Sequence, residues 1–232
     1  MPLRQWIKSA DYAIEGILHA VKTQRHLRYH FYSASAVLLI SYILGISKTE
    51  FVIVSLAVIS VLLAEMFNTA VETIVDFISP ERNEKARIAK DISAGAVLIT
   101  AFGAALIGLM ILFPYARDIF QSGIYITKHV KEEVAVIAFV LVLIMVILLK
   151  SYWGKGHPLS GGLPSGHSAV AFSVWVSVTY MTESFIVSLL CFILAVAIAQ
   201  SRVATRVHSA WEVVLGGLLG ATLTFVLFKV LT

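Results

Sequence analysis

The chain has 232 residues, 59% of them hydrophobic and only 14% charged, a balance that excludes a soluble globular domain and implies an integral membrane protein. The formal charge of +4 comes without a soluble basic domain, so it points to anchoring against anionic lipid and away from nucleic acid. The single cysteine, Cys191, lies within an apolar run and excludes an intrachain disulfide.

Every long apolar run is helix-sized, so the expected fold is all-α, with about seven transmembrane helices behind an N-terminal amphipathic interfacial helix. That first helix covers residues 3–28, where Leu3, Trp6, Ile7, Ala10, Ile14, Ile17, Leu18 and Val21 recur at helical spacing. The basic residues Arg4, Lys8, Lys22, Arg25 and Arg28 precede no small-residue cleavage site, which argues against a signal peptide and places this end in the cytoplasm. Spans are expected at residues 31–46 and 51–78, with a polar loop at 81–91 and a third span ending at Phe113. Residues 114–133 interrupt the hydrophobicity with Arg117, Asp118, Gln121, Gly123 and Lys128, and read as a linker between modules 1–113 and 134–232. Four further spans follow, at 134–149, 164–181, 185–200 and 211–231, separated by polar stretches at 150–163 and 201–208. There is no internal repeat, which argues for two different modules.

The second span carries a polar stripe. Glu65, Asn68, Glu72 and Asp76 are spaced i, i+3, i+7 and i+11, and so share one helix face, while the other faces are Val, Leu, Ile, Met and Phe. A carboxylate at mid-membrane costs about 2.5 kcal/mol or more, so three in line require a cation, a proton or a polar cavity. Clustered carboxylates suit magnesium-assisted phosphoryl transfer, with a remaining carboxylate free to take a proton from an attacking hydroxyl. No Walker A loop occurs, and spacing alone leaves open an ion-coupled transporter with midplane carboxylates.

The motif Glu65-x-x-Asn68-Thr-Ala-x-Glu72-x-x-x-Asp76, followed by Ala89-Lys90-Asp91-Ile-Ser-Ala-Gly-Ala, resembles the small bacterial membrane diacylglycerol kinase family over residues 3–113. Tyr12-Ala-Ile-Glu-Gly16 and Ala64-Glu-Met-Phe-Asn-Thr-Ala70 are most similar to its Gram-positive-type branch, whose substrate is undecaprenol. The resemblance implies that Glu65 is the general base for the lipid hydroxyl and that Glu72 holds magnesium. It further implies that Tyr12, Asn68, Asp76, Glu81, Asn83, Lys90 and Asp91 line the ATP site, and that the enzyme is a homotrimer. Gln24 stands where the family has a second glutamate ligand; its amide oxygen can coordinate magnesium but brings no charge.

The second module gathers histidines at its loops and helix ends: His157, His167 and His208. Pro164-Ser165-Gly166-His167 opens a helix whose first amides form a ready anion site. Arg202 and Arg206 are spaced i, i+4 and can both reach a phosphate, and Glu212 at i+4 from His208 can orient its ring. A nucleophilic histidine, a second histidine as acid and a basic cradle describe metal-free cleavage of a phosphomonoester or pyrophosphate. A zinc site is the weaker rival, because the spacings match no compact metal motif.

Lys150-(x)6-His157-Pro158, Pro164-Ser-Gly-His167 and Ser201-Arg202-(x)5-His208-(x)3-Glu212 together resemble the type 2 phosphatidic acid phosphatase superfamily over residues 134–231. The resemblance implies that His208 is the nucleophile, that Glu212 orients it and that His167 is the acid for the leaving group. Lys150, His157, Ser165, Gly166 and Arg202 would form the phosphate cradle. His157 and Glu212 replace the family's usual Arg and Asp, and the module has four spans where six are common.

The expectation is a bifunctional, multi-pass enzyme of the bacterial cytoplasmic (inner) membrane. An ATP- and magnesium-dependent lipid kinase is fused to a phosphatase that needs no cofactor. Phosphorylating undecaprenol and removing one phosphate from undecaprenyl diphosphate both yield undecaprenyl phosphate. The alternative pair is diacylglycerol kinase with phosphatidate phosphatase. The positive-inside rule, followed through seven spans, puts both sites at the cytoplasmic leaflet.

Overall fold

The computed structural model describes residues 2–81, 83–123, 126–153 and 162–232. Among them eight helices follow one another and no strand occurs: α1 (Pro2–Thr23), α2 (Arg25–Leu44), α3 (Lys48–Ile78), α4 (Glu84–Ser122), α5 (Lys131–Trp153), α6 (Gly166–Thr182), α7 (Phe185–Ala204) and α8 (Ala210–Leu231). Five of them, α3, α4, α5, α7 and α8, are long and apolar enough to cross a membrane. The protein is thus an all-α membrane protein. Of the seven expected spans, α2 and α6 fall outside this set. α6 has only 17 residues, and the first turns of α2 carry Arg25, His26, Arg28 and His30.

By packing, the chain divides into Thr23–Ile126 and a second unit, Thr127–Thr232 together with Met1–Lys22. Within that second unit, Leu18, Ala20 and Val21 of α1 are buried, so the helix that precedes the first module in sequence packs with residues 127–232. The single N-terminal helix expected over 3–28 is also two helices. Gln24 interrupts them with an extended backbone and caps α2 without a side-chain bond.

In the unit 23–126, α3 lies between α2 and α4. Ser47 and Glu50 start α3 with a reciprocal capping box, each side chain bonded to the other's backbone N–H. The expected loop over 81–91 is mostly helix. Asn83 caps α4 by accepting from the Lys85 N–H, and Arg87 then bonds Glu84 and Asp91 one turn to either side, the latter at 2.7 Å. At its far end α4 runs on past Pro114, where the third span was expected to stop, as far as Ser122. Proline removes one backbone donor, but the Tyr115 hydroxyl donates to Glu50 Oε2 at 2.8 Å and ties the following turns to the start of α3.

In the second unit, the backbone N–H of His129 and the Lys128 ammonium donate to the carbonyls of Leu231 and Val230, so the segment entering α5 is held at the end of α8. α6 and α8 make the most extensive helix contact. Its basis is Gly216-x-x-x-Gly220, which lets the α8 backbone touch α6 directly. A Cβ on Gly216 would lie 2.3 Å from the Ser165 carbonyl oxygen, and one on Gly220 would lie 1.9 Å from that of Ala169. Val142, Val146 and Ala169 form a small core against Leu219 and Leu223. Ser173 and Thr224, both buried, satisfy each other across α6 and α8 at 2.7 Å.

Backbone cannot retreat as a flexible side chain can, so Gly220→Ala must separate α6 from α8. The expected loss is about 1–3 kcal/mol, read as a lower apparent melting temperature of the detergent-solubilised chain. Gly103→Ala, on α4 with nothing within 4 Å of the added carbon, should leave the melt unchanged.

Candidate active sites

The polar stripe of α3 meets partners from both neighbouring helices. Glu65 is 6% exposed, and its Oε1 lies 3.1 Å from Nε2 of His30 on α2. One turn on, Asn68 donates to Glu72 Oε1 at 3.2 Å and accepts from the Ser93 hydroxyl of α4 at 2.7 Å. At the end of the stripe Lys90 donates to Asp76 at 2.8 Å. Lys90 and Ser93, one helical turn apart on α4, thus clasp Asp76 and Asn68 on α3. The exposed Glu84–Arg87–Asp91 chain continues this polar end.

Of the residues expected at the ATP site, Asn68, Asp76, Lys90 and Asp91 lie on α3 and the first turns of α4. Asn83 is engaged as the α4 cap and Glu81 is exposed. Tyr12 is 69% exposed on α1, in the other unit. His30 and Ser93 were not singled out in the sequence. Ser93 lies inside the quoted motif at i+3 from Lys90, whereas nothing in the spacing links His30 to Glu65.

Among the described residues no three His, Cys, Asp or Glu side chains gather into a metal cluster. The stripe itself offers oxygen donors, the Glu72 carboxylate and the Asn68 amide bonded to it, and Gln24, the residue before α2, carries a further amide. Magnesium commonly takes one or two carboxylates and completes its shell with water and nucleotide phosphates, so this donor set fits it.

A cavity of about 380 Å³ runs between α2, α3 and α4, bordered by His30 and otherwise by side chains such as Val37, Val58, Leu62 and Ile107. Val61 and Leu62 lie one turn before Glu65. The buried carboxylate therefore stands beside an apolar space.

In the second unit the site forms where α5 ends, α6 begins and α7 passes into α8. Lys150, in the last turn of α5, is only 9% exposed. Ser165 is fully buried as the residue before α6. Its N–H donates to the Glu212 carbonyl at 2.9 Å, and its side chain makes no cap bond to the first-turn amides of Gly166 and His167. Gly162, before this turn, adopts a φ of +88°, where a side chain would be strained.

Helix α7 ends at Ala204, so Arg202 and Arg206 do not share a helical face as the spacing predicted. Arg206 takes a left-handed backbone (φ 54°) and is exposed, because the chain reverses there to carry the His208 N–H back to the Arg202 carbonyl at 3.1 Å. Arg202 stays within the site, and its Nε is buried with no hydrogen-bond partner. A buried guanidinium N–H with nothing to meet is costly, and an anion is what would satisfy it.

His208 is 5% exposed, and its Nδ1 lies 2.7 Å from Glu212 Oε2. The same carboxylate oxygen accepts the Ser209 N–H in a capping box at the start of α8, a pattern legible as Ser209-x-x-Glu212 but not singled out beforehand. Glu212 is thus held by the helix start as well as by the ring. His208 lies in the turn between α7 and α8; burial pushes its imidazole below the ordinary histidine range, while the bond to Glu212 acts in the opposite direction. His167 is exposed and within electrostatic range of Arg202, His208 and Lys150. His157 lies outside the described residues.

Comparison with known proteins also divides the chain in two, with α1 from residue 11 falling in the first part. The family model "Prokaryotic diacylglycerol kinase" matches residues 11–112, and "PAP2 superfamily" matches residues 137–232. An undecaprenol kinase of Bacillus subtilis is 35% identical over 112 residues, which is 48% of this chain and 91% of that protein. A diacylglycerol kinase of Synechocystis is 36% identical over 46% of this chain and 61% of its own length. A diacylglycerol kinase of Haemophilus influenzae is 32% identical over 48% of this chain and 94% of its own length. No solved structure matches the chain. With one family spanning the carboxylate stripe and the other the paired histidines, the chain belongs to the prokaryotic diacylglycerol kinase family and carries a PAP2 superfamily module fused behind it.

Proposed function

We propose that the protein supplies undecaprenyl phosphate at the bacterial inner membrane, by ATP-dependent phosphorylation of undecaprenol in one unit and removal of one phosphate from undecaprenyl diphosphate in the other. The observation that carries the phosphatase half is the His208–Glu212 pair at 2.7 Å beside the unpartnered, buried Arg202 Nε. Supporting the choice of lipid is the similarity to an undecaprenol kinase. The diacylglycerol kinases among the relatives favour a second reading, diacylglycerol kinase with phosphatidate phosphatase. In that pair the two units would oppose each other.

In the kinase unit, the lipid alcohol lies in the apolar cavity with its hydroxyl toward Glu65. Glu65 accepts the hydroxyl proton as the oxygen bonds to the γ-phosphorus of ATP and the bond to the ADP oxygen breaks. His30 keeps the receiving carboxylate in place. Asn68, Asp76, Lys90 and Asp91 position the nucleotide. Glu72, with the amide of Gln24, would hold magnesium, which neutralises phosphate charge when bound.

In the phosphatase unit, Lys150, Arg202, Ser165 and the Gly166 amide hold the terminal phosphate. Nδ1–H of His208 donates to Glu212, which leaves Nε2 as the nucleophile. Nε2 bonds to phosphorus as the P–O bond to the lipid phosphate breaks, and His167 protonates the departing oxygen. A water oxygen then bonds to phosphorus as the P–Nε2 bond breaks, His167 takes the water's proton, and inorganic phosphate leaves.

The two chemistries separate by mutation. His208→Ala should abolish phosphate release and leave transfer of labelled phosphate from ATP to lipid intact; Glu65→Gln should do the reverse, lowering lipid labelling by about 10²–10⁴-fold. Phosphate release by His208→Ala above background would exclude the phosphohistidine.

Restoring the carboxylate at the kinase's second ligand position, by Gln24→Glu, should lower the magnesium concentration for half-maximal labelling and raise the rate. An unchanged magnesium titration in protein that binds ATP would show that position 24 does not hold the ion.

Only neutral His208 is nucleophilic, and burial already favours its neutral form, so the acid limb of kcat/KM should fall below the ordinary histidine value of about 6.5. Lys150 and Arg202 lower the pKa further, and Glu212 raises it. Glu212→Gln removes an influence that raises the pKa, so the acid limb should move to lower pH while kcat falls by about 10²–10⁴-fold as the ring loses its orientation. A shift to higher pH would contradict the assignment.

A further inference from the structure

A second cavity, of about 580 Å³, opens at the phosphatase site and is bounded by α5, α6, α7 and the N-terminal helix α1. Its polar lining is concentrated at one end, where Lys150, Gly166 and His167 stand. From there the walls are apolar along matching helix faces: Leu143, Val146 and Ile147 before Lys150 on α5, and Val170, Ala171 and Val174 after His167 on α6. Each face runs seven residues from the cation or histidine, or about 10 Å at 1.5 Å per residue. The α7 wall leads from Cys191 to Ile198, one turn before Arg202. All three walls therefore present their phosphate-binding residue at the same end.

The remaining wall is α1. Ile14 and Leu18, one turn apart, line the groove, and Leu18 is only 3% exposed. On the same face, Asp11 lies within electrostatic range of His167 and Lys22 within range of Lys150. The kinase family model matches this helix from residue 11, yet its face is turned to the phosphatase groove.

We infer that α1 is a wall of the groove that takes the hydrocarbon chain of the phosphatase's lipid phosphate substrate, with Ile14 and Leu18 setting the width next to the phosphate. This rests on the phosphatase reading for the identity of the charged end. The occupant is a lipid chain because the groove pairs an anion-binding mouth with an apolar trough continuous with it. A free phosphate or a soluble phosphoester would use only the mouth. The kinase-family helix is thereby a specificity element of the second enzyme.

Cys191 lines the trough and is the chain's single cysteine, so it reports occupancy without any engineered label. The full-length protein in lipid nanodiscs would be alkylated with N-ethylmaleimide in the presence of farnesyl phosphonate, a non-hydrolysable lipid phosphate, or of inorganic phosphate alone. The phosphonate should protect Cys191 and inorganic phosphate should not. Ile14→Trp, which narrows the groove from the α1 side, should raise the half-protecting phosphonate concentration about tenfold. Leu18→Ala, which widens it, should shift that concentration by a smaller factor. No protection in the unmodified protein, or the same half-protecting concentration in both variants, would overturn the assignment. The readout needs no turnover, so phosphate release by His208→Ala would refute the phosphohistidine while the protection assay still decides the role of α1.

Discussion

A polar side chain on an apolar helix has to find its partner within the protein, because the surrounding hydrocarbon offers none. Glu65 meets His30, Asn68 meets Ser93 and Asp76 meets Lys90, and these pairs fix how α2 and α4 lie along α3. α2 and α3 also bury Leu27, Phe31, Ala34, Val54 and Val61, whereas α4 has no buried residue at all. The polar stripe is thus both the candidate site and a specific fastening of α4 to α3.

The second unit answers the same constraint by close backbone approach. Gly216 and Gly220 bring α8 onto α6, which places the Ser165 N–H on the Glu212 carbonyl. Glu212 in turn starts α8 and bonds His208. Helix packing, helix capping and orientation of the histidine thus converge on a few adjacent residues. Among the described residues of this unit, the Arg202 Nε is left buried without a protein partner, a donor that an anion would satisfy.

Much of this was legible beforehand, where the signal was local or periodic. The i, i+3, i+7, i+11 stripe and the His208–Glu212 spacing could be read because helix geometry converts those intervals into proximity. Partners distant in sequence could not be read that way: His30 and Glu65 are brought together only by the α2–α3 turn. Arg206 misled because its spacing from Arg202 assumed a helix that ends two residues earlier. The polar run at 81–91 reads as a loop because charged residues dominate it between two hydrophobic spans, although Asn83 and the Glu84–Arg87–Asp91 set are good helix-starting residues. The placement of α1 had no sequence signal, since an amphipathic face shows that it will be buried without showing against what.

The uninterrupted α4 has a further consequence. Its 39 residues extend about 58 Å, roughly twice the hydrocarbon thickness of a bilayer. The stretch from Glu84 to Pro114 alone spans about 45 Å, enough to reach from one headgroup layer to the other. The polar turns after the proline, with Arg117, Asp118 and Gln121, are the part of α4 suited to an aqueous layer. The Tyr115–Glu50 bond lies at that same level and joins the emerging end of α4 to the entering end of α3. Because that bond ties the two ends, any tilt that matches α4 to a thinner membrane is shared by α3, the helix that carries the carboxylate stripe.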